Sequence, residues 1–178
     1  MVKLSGILEY SMGGFLCLRG FASFKMLSAI SDSNPDIQRD LISGRTEELS
    51  QYLNRGEYRF FPEVILALNL TDGNSQFDVL SQFHEDLQAG KTWNKNIGDF
   101  EFNISQNKTK NVLGTFSRLP AIDRINIAHL KFDETAHKLS RIDGNHRLSA
   151  ADEVGEDFQT PFCLLLFRDP KEKEQYSR

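Results

Sequence analysis

An α+β fold with a mixed sheet and flanking helices is what this sequence predicts, and three observations lead there. Strand-like apolar runs and helix-like amphipathic runs follow one another at irregular spacing, unlike the regular alternation of a doubly wound parallel sheet. No internal repeat or low-complexity block interrupts them. The 178 residues, 39% hydrophobic and 26% charged, suit one soluble domain, 1–178, with a real core.

The elements can be argued in order. Gly14–Phe21 (GFLCLRGF) reads as a strand with Arg19 near its end. Ser23 is placed to cap a short helix through Phe24, Leu27 and Ile30. Ser31-Asp32-Ser33-Asn34-Pro35 is a loop by composition. A longer helix starts at Asn34 or Asp36 and reaches Leu53, since Ile37, Leu41, Leu49, Tyr52 and Leu53 recur at helical spacing. Asn54-Arg55-Gly56 stops it. Arg59–Leu70 is strand-like, with Pro62 near its start, where a missing N–H is tolerated.

Phe77–Leu87 has helical periodicity. Phe100, Phe102 and Ile104 alternate with polar residues, as in a half-buried strand that Val112–Phe116 can pair with. Ile125, Ile127 and Leu130 mark a second alternating run. Lys138–Ile142 reads as a strand ending in Asp143-Gly144, followed at once by a helix from Arg147 to Glu153. Thr160–Phe167 (TPFCLLLF) is a continuous apolar run, the pattern of a buried strand. Asp169-Pro170 opens a charged helical tail with nothing apolar behind it, which reads as the N-terminal fragment of a longer protein.

Bulk properties exclude several functions. A net charge of −4 argues against broad coating of DNA, although a local basic face is compatible with it. Most of the 14 phenylalanines are expected in the core. Cys17 and Cys163, both in apolar runs, are expected as buried free thiols rather than a disulfide framework. No apolar stretch is long enough to span a bilayer, and the N-terminus lacks a secretory pattern, so a cytoplasmic protein without a membrane partner is expected. The histidines, His84, His129, His137 and His146, form no metal-binding spacing, and no structural metal is expected. Neither a Walker-type glycine-lysine loop nor a nucleophile elbow is present.

The chemistry concentrates at Arg141-Ile142-Asp143-Gly144-Asn145-His146-Arg147-Leu148. A strand-to-helix turn exposes unpaired backbone N–H groups. Gly144 lets a ligand approach that backbone, and Arg147 offers a fork of donors that matches phosphate. His146 can donate to phosphate or carry a proton near neutral pH. Asp143 can hold a metal through water, orient Arg147 or Arg141, or cap the helix, and Asn145 can bond phosphate or fix the turn. Each also has a plain alternative. Asp-Gly suits any tight turn, and Arg147 can pair with Asp152 or Glu153. Lys108 and Lys110 sit in a polar stretch that reads as a solvated hairpin tip.

The run Ile142-Asp143-Gly144-Asn145-His146-Arg147-Leu148 resembles the signature of the DGQHR-domain family, with Asn145 where the family name has Gln. Two more pieces are similar in the expected order over about residues 20–170. They are Ile37-Gln38-Arg39-Asp40-Leu41, followed by Arg45 and Tyr52-Leu53, and Phe60-Phe61-Pro62-Glu63-Val64-Ile65-Leu66-Ala67-Leu68. The resemblance implies a compact ParB/sulfiredoxin-like domain that holds a nucleotide phosphate chain beside the Gly-His-Arg turn. It also implies a setting among bacterial DNA-modification and defence proteins such as those of DndB and DpdB type. Asn145 stands where sulfiredoxin has its nucleophilic cysteine, so sulfinic-acid repair is not expected. Without a helix-turn-helix, a partition role is not expected either.

The expectation is therefore a nucleotide-binding domain for ATP or, second, CTP, with Mg2+ as escort. Gly144, Asn145, His146, Arg147, Gln38 and Arg39 would line the phosphate site. If the nucleotide is hydrolysed, Asp143, His146 and Arg147 are the catalytic candidates. Two alternatives stay open: a regulator that grips DNA phosphate with the same turn, and a scaffold that docks other pathway proteins.

Overall fold

The computed structural model describes residues 1–33, 44–55, 60–68, 92–97, 99–108, 124–135 and 139–167, with 86, 171 and 174. The strands are β1 (Val2–Ser11), β2 (Phe15–Ser23), β3 (Ser31–Ser33), β4 (Val64–Ala67), β5 (Trp93–Ile97), β6 (Phe100–Lys108), β7 (Arg124–Phe132), β8 (Leu139–Asp143) and β9 (Gln159–Leu166). The helices are α1 (Phe24–Ala29), α2 (Arg45–Asn54) and α3 (Asn145–Ser149), with a 3-10 turn at Ala151–Glu153. Among the described residues the strands form one curled mixed sheet, in the order β3-β8-β4-β9-β2-β1-β7-β6-β5. β3 with β8 and β4 with β9 are parallel, and the other pairs are antiparallel. The predicted α+β class and mixed sheet are those of the structure.

One face of the sheet carries the main core. Leu4, Leu18, Phe102, Leu130, Phe162 and Val64 meet Phe24 and Leu27 of α1, Leu53 of α2 and Leu148 of α3 there. Fully burying each such side chain is worth about 1.5–3 kcal/mol. The other face holds a smaller cluster of Cys17, Ala67, Cys163, Leu165 and Phe167. Both cysteines are buried and neither is joined in a disulfide, as expected. Arg19 faces Cys163 and Cys17 faces Leu165, so the two thiols are diagonal neighbours. Contact with Cys17, then burial, pushes the Cys163 thiol far above its usual pKa and keeps it protonated.

Several elements stand where the sequence placed them. Ser23 Oγ caps α1 by accepting from Met26 N at 3.0 Å. The Phe100, Phe102 and Ile104 alternation faces the core, and the apolar run at 160–166 is a buried strand.

Other expectations need correction. Ser31–Ser33 is a strand, not a loop, because it finds a parallel partner in β8. The long helix does not run unbroken to Leu53. α2 starts at Arg45, after Gly44 in a left-handed conformation (φ 83). Arg19 lies mid-strand. In β7 the core side is Ala128, Leu130 and Phe132, while Ile125 and Ile127 lie on the opposite, half-buried side. The helix after Asp143 begins at Asn145, earlier than Arg147, and breaks at Ala150 into the 3-10 turn.

β1 and β5 escaped the sequence reading. β1 alternates, but Gly6 interrupts its apolar face. Gly6 and Gly20 face each other across β1 and β2, and a Cβ on either would collide with the partner strand's backbone. β5 has only Trp93 and Ile97 as apolar residues. The expectations at Gln38 and Arg39, most of Phe77–Leu87, Lys110 and Val112–Phe116 lie outside the described residues.

Candidate functional site

β8 ends at Asp143, Gly144 turns the chain with φ 91, and α3 starts at Asn145. Asp143, Gly144, Asn145, His146 and Arg147 are therefore consecutive on one strand-to-helix turn. Gly144 O accepts the first helical bond from Leu148 N at 2.8 Å. Among the described residues no side chain caps α3, so Asp143 does not play the capping role. The first amides of a helix have no acceptor within it.

Arg147 is folded inward, with a side chain 14% exposed. One terminal nitrogen donates to Pro62 O at 2.5 Å and approaches Glu63 O at 3.4 Å; the other donates to Asp143 Oδ2 at 2.9 Å. Its guanidinium carbon sits 5.4 Å from the centre of the Phe61 ring. The ion pair is thus with Asp143, one helical turn back, and not with Asp152 or Glu153. Burial lowers the Arg147 pKa, and the charge and hydrogen bond of Asp143 oppose that shift. Asp143 itself is 63% exposed. Glu63 ties this point to the other sheet face, where its carboxylate takes two bonds from Arg19, at 2.8 and 2.6 Å.

Arg141 makes the most elaborate polar contact of the region, and the sequence reading assigned it no role beyond a partner for Asp143. Leu139 and Arg141 share the inward side of β8, a position that alternation alone marks as buried. Its Nε donates to Ser31 Oγ at 3.0 Å. One terminal nitrogen reaches Asn145 Oδ1 at 3.3 Å and Ser149 Oγ at 3.2 Å; the other reaches Ser28 O at 3.0 Å and Ser28 Oγ at 3.3 Å. Burial lowers the Arg141 pKa, against the opposing charges of Asp32 and Asp152. Asn145 is buried and serves this cage, the turn-fixing alternative for that residue.

His146 is different. It is half-buried, and among the described residues its buried Nδ1 has no hydrogen-bond partner. Buried ring nitrogens in native proteins are nearly always paired, so an unpaired one marks a place where a donor or acceptor is missing. Arg45 lies exposed at the start of α2 and joins none of these contacts. Among the described residues, no group of three or more His, Cys, Asp or Glu is arranged to hold a metal ion, and no helix is long and apolar enough to cross a membrane.

Comparison with protein-family models, curated proteins and solved structures finds no match to the chain.

Proposed function

We propose that the protein binds a nucleotide, ATP or CTP with Mg2+, through its phosphates at the turn of residues 143–147. The observation that carries this reading is the buried Nδ1 of His146, unpartnered among the described residues, on a turn that no described side chain caps. A phosphate oxygen that entered there by displacing the atoms now covering Nδ1 would pair with His146 and with the amides of Asn145, His146 and Arg147. Asp143, largely exposed, would take the metal through water. Arg147 would hold the turn against Pro62 and Glu63 and lend its positive charge, rather than reach outward. Gln38 and Arg39 enter this site by resemblance alone. So does the setting of a DGQHR-type domain in a bacterial DNA-modification or defence pathway.

The test is nucleotide retained by the purified protein, released by denaturation and read by chromatography, followed by calorimetry with ATP and with CTP in magnesium. Binding in the micromolar to millimolar range, about −8 to −4 kcal/mol, is expected. His146→Ala should weaken it at least about tenfold without changing the unfolding temperature. Absence of heat with both nucleotides overturns the reading.

One observation favours a second reading, the non-catalytic scaffold. The terminal donors of Arg147 are already engaged by Pro62 O, Glu63 O and Asp143, as in a clasp that only closes the fold. That reading predicts no retained nucleotide and a silent His146→Ala variant.

A further inference from the structure

We infer that Ser5 and His129 form a nucleophile and base pair that hydrolyses small carboxylic esters with an apolar acyl group. The pair stands apart from the turn at 143–147, since β1 and β7 lie four and five strands along the sheet from β8. Ser5, His129 and Asn103 occupy facing positions on β1, β7 and β6, so their side chains share one face of the sheet. It is the face away from the main core, because Leu4, Leu130 and Phe102, each one residue off, point into that core. Ser5 Oγ lies 2.8 Å from His129 Nδ1, within reach for proton transfer. A nucleophile and base of this kind need a third group to orient the base. Asn103 stands beside the imidazole in that place and is itself fixed by donating to Glu101 Oε1 at 2.8 Å. Ser5 and His129 are half-buried, not sealed from solvent.

The surroundings suit this chemistry. Burial, and then the charges of Lys3 and Lys131, hold the imidazole neutral near pH 7, the state that accepts a proton. The Lys131 ammonium is engaged by Glu101 at 3.0 Å. Lys3 is exposed on the same face two residues before Ser5, about 7 Å along the strand. Its flexible stem lets the ammonium meet the ester oxygen as that oxygen turns negative. Ile7, 46% exposed, and Phe21, 70% exposed, offer apolar surface to the acyl group. The register that sets Gly6 opposite Gly20 brings Phe21 beside Ser5. In the reaction, Ser5 Oγ bonds to the ester carbonyl carbon as its proton passes to His129 Nδ1. The bond from that carbon to the alcohol oxygen breaks, and the alcohol leaves with the proton. Water then adds to the acyl carbon and gives a proton to Nδ1. The bond to Ser5 Oγ breaks, the acid departs and the serine regains its proton.

The experiment follows nitrophenol release from p-nitrophenyl acetate and butyrate by the full chain, by Ser5→Ala and by His129→Gln. A fluorophosphonate is the covalent probe, its position read by mass spectrometry of peptides. The wild type should carry the probe on Ser5 and should cleave butyrate at least as well as acetate. Its rate should rise with pH and level off below the ordinary histidine value of 6.5. Either substitution should lower the rate at least about a hundredfold, the usual contribution of a positioned base. Ser5→Ala removes only a hydroxyl from the half-buried face, and its unfolding temperature should match the wild type, which separates lost chemistry from lost fold. A probe found on lysines and not on Ser5, or a Ser5→Ala variant that cleaves as fast as the wild type, overturns the inference. A His129→Gln variant that takes up the probe at the wild-type rate overturns it as well, because Ser5 then owes nothing to the imidazole.

Discussion

Gly144 and Val64 meet so closely that a Cβ on residue 144 would lie 2.8 Å from Val64 Cγ1. The same atom would be 3.3 Å from a terminal nitrogen of Arg147. The turn after β8 therefore rests on β4 because position 144 has no side chain, and its φ of 91 is one that other residues adopt at a cost. The glycine of the motif serves packing and backbone geometry at once.

Gly144→Ala should destabilise the protein by about 2–5 kcal/mol. Left-handed backbone costs about 1–2 kcal/mol, and overpacking against Val64 adds about 1–3 kcal/mol. Urea unfolding measures the loss. Adding Val64→Ala should relieve the contact but not the backbone strain, so the double variant should lose less than the two single losses summed. Strict additivity would show that the two residues do not press on one another.

Arg147→Lys should cost nearly as much as Arg147→Ala, about 1–3 kcal/mol. An ammonium cannot reach Pro62 O and the Asp143 carboxylate together, as the planar fork does. Asp143→Asn should cost less than about 1 kcal/mol, since that carboxylate is mostly in water. Should the Asp143 variant lose as much as the lysine variant, the ion pair and not the backbone contact holds the side chain.

Arg141→Met should be among the costly substitutions near the turn, about 2–4 kcal/mol, because several buried acceptors lose their donor together. Asn145→Ala removes one of those acceptors and should cost about 1 kcal/mol. A double-mutant cycle should show coupling between the two. Independent effects would mean that the Arg141–Asn145 contact, 3.3 Å in length, contributes nothing to stability.

The stability of the sheet should fall on mild acidification because of His129, which shares a 2.8 Å hydrogen bond with Ser5 Oγ. Burial, and then the charges of Lys3 and Lys131, lower its pKa below the ordinary 6.5. The folded state thus takes up a proton less readily than the unfolded chain. The contribution is complete above the unfolded value and declines as pH drops through it toward the folded one. Urea midpoints at about pH 7.5 and about pH 5.5 should differ for the wild type and differ less for His129→Gln. Glu101, whose pKa Asn103 and Lys131 lower from 4.5, stays ionised across that window and does not confound it.

The sequence made some parts of this protein legible and hid others for physical reasons. The α1 cap, the Phe100, Phe102, Ile104 alternation and the strand at 160–166 express local periodicity and capping, which neighbouring residues establish by themselves. β3 looked like a loop because three small polar residues become a strand only through the partner strand they find. β7 looked turned over because Ile125 and Ile127 outweigh Ala128 in hydrophobicity, and only pairing with β1 and β6 fixes its inward side. At the candidate site, the motif marked Asp143, Gly144, Asn145, His146 and Arg147 as one group. It gave Arg141 no role beyond a partner for Asp143, because the partners of Arg141, Ser28 and Ser31, lie more than a hundred positions away.

Composition and spacing thus suffice for an α+β fold with buried thiols and a turn rich in chemistry, because hydrophobicity, amphipathicity and turn propensity belong to short stretches of chain. The strand order, the inward fold of Arg147 onto Pro62 and Glu63, and the His146 nitrogen left unpaired among the described residues belong to the assembled molecule. Strand register and a polar atom's partner depend on which distant backbone arrives beside it, and that follows from packing the whole core at once.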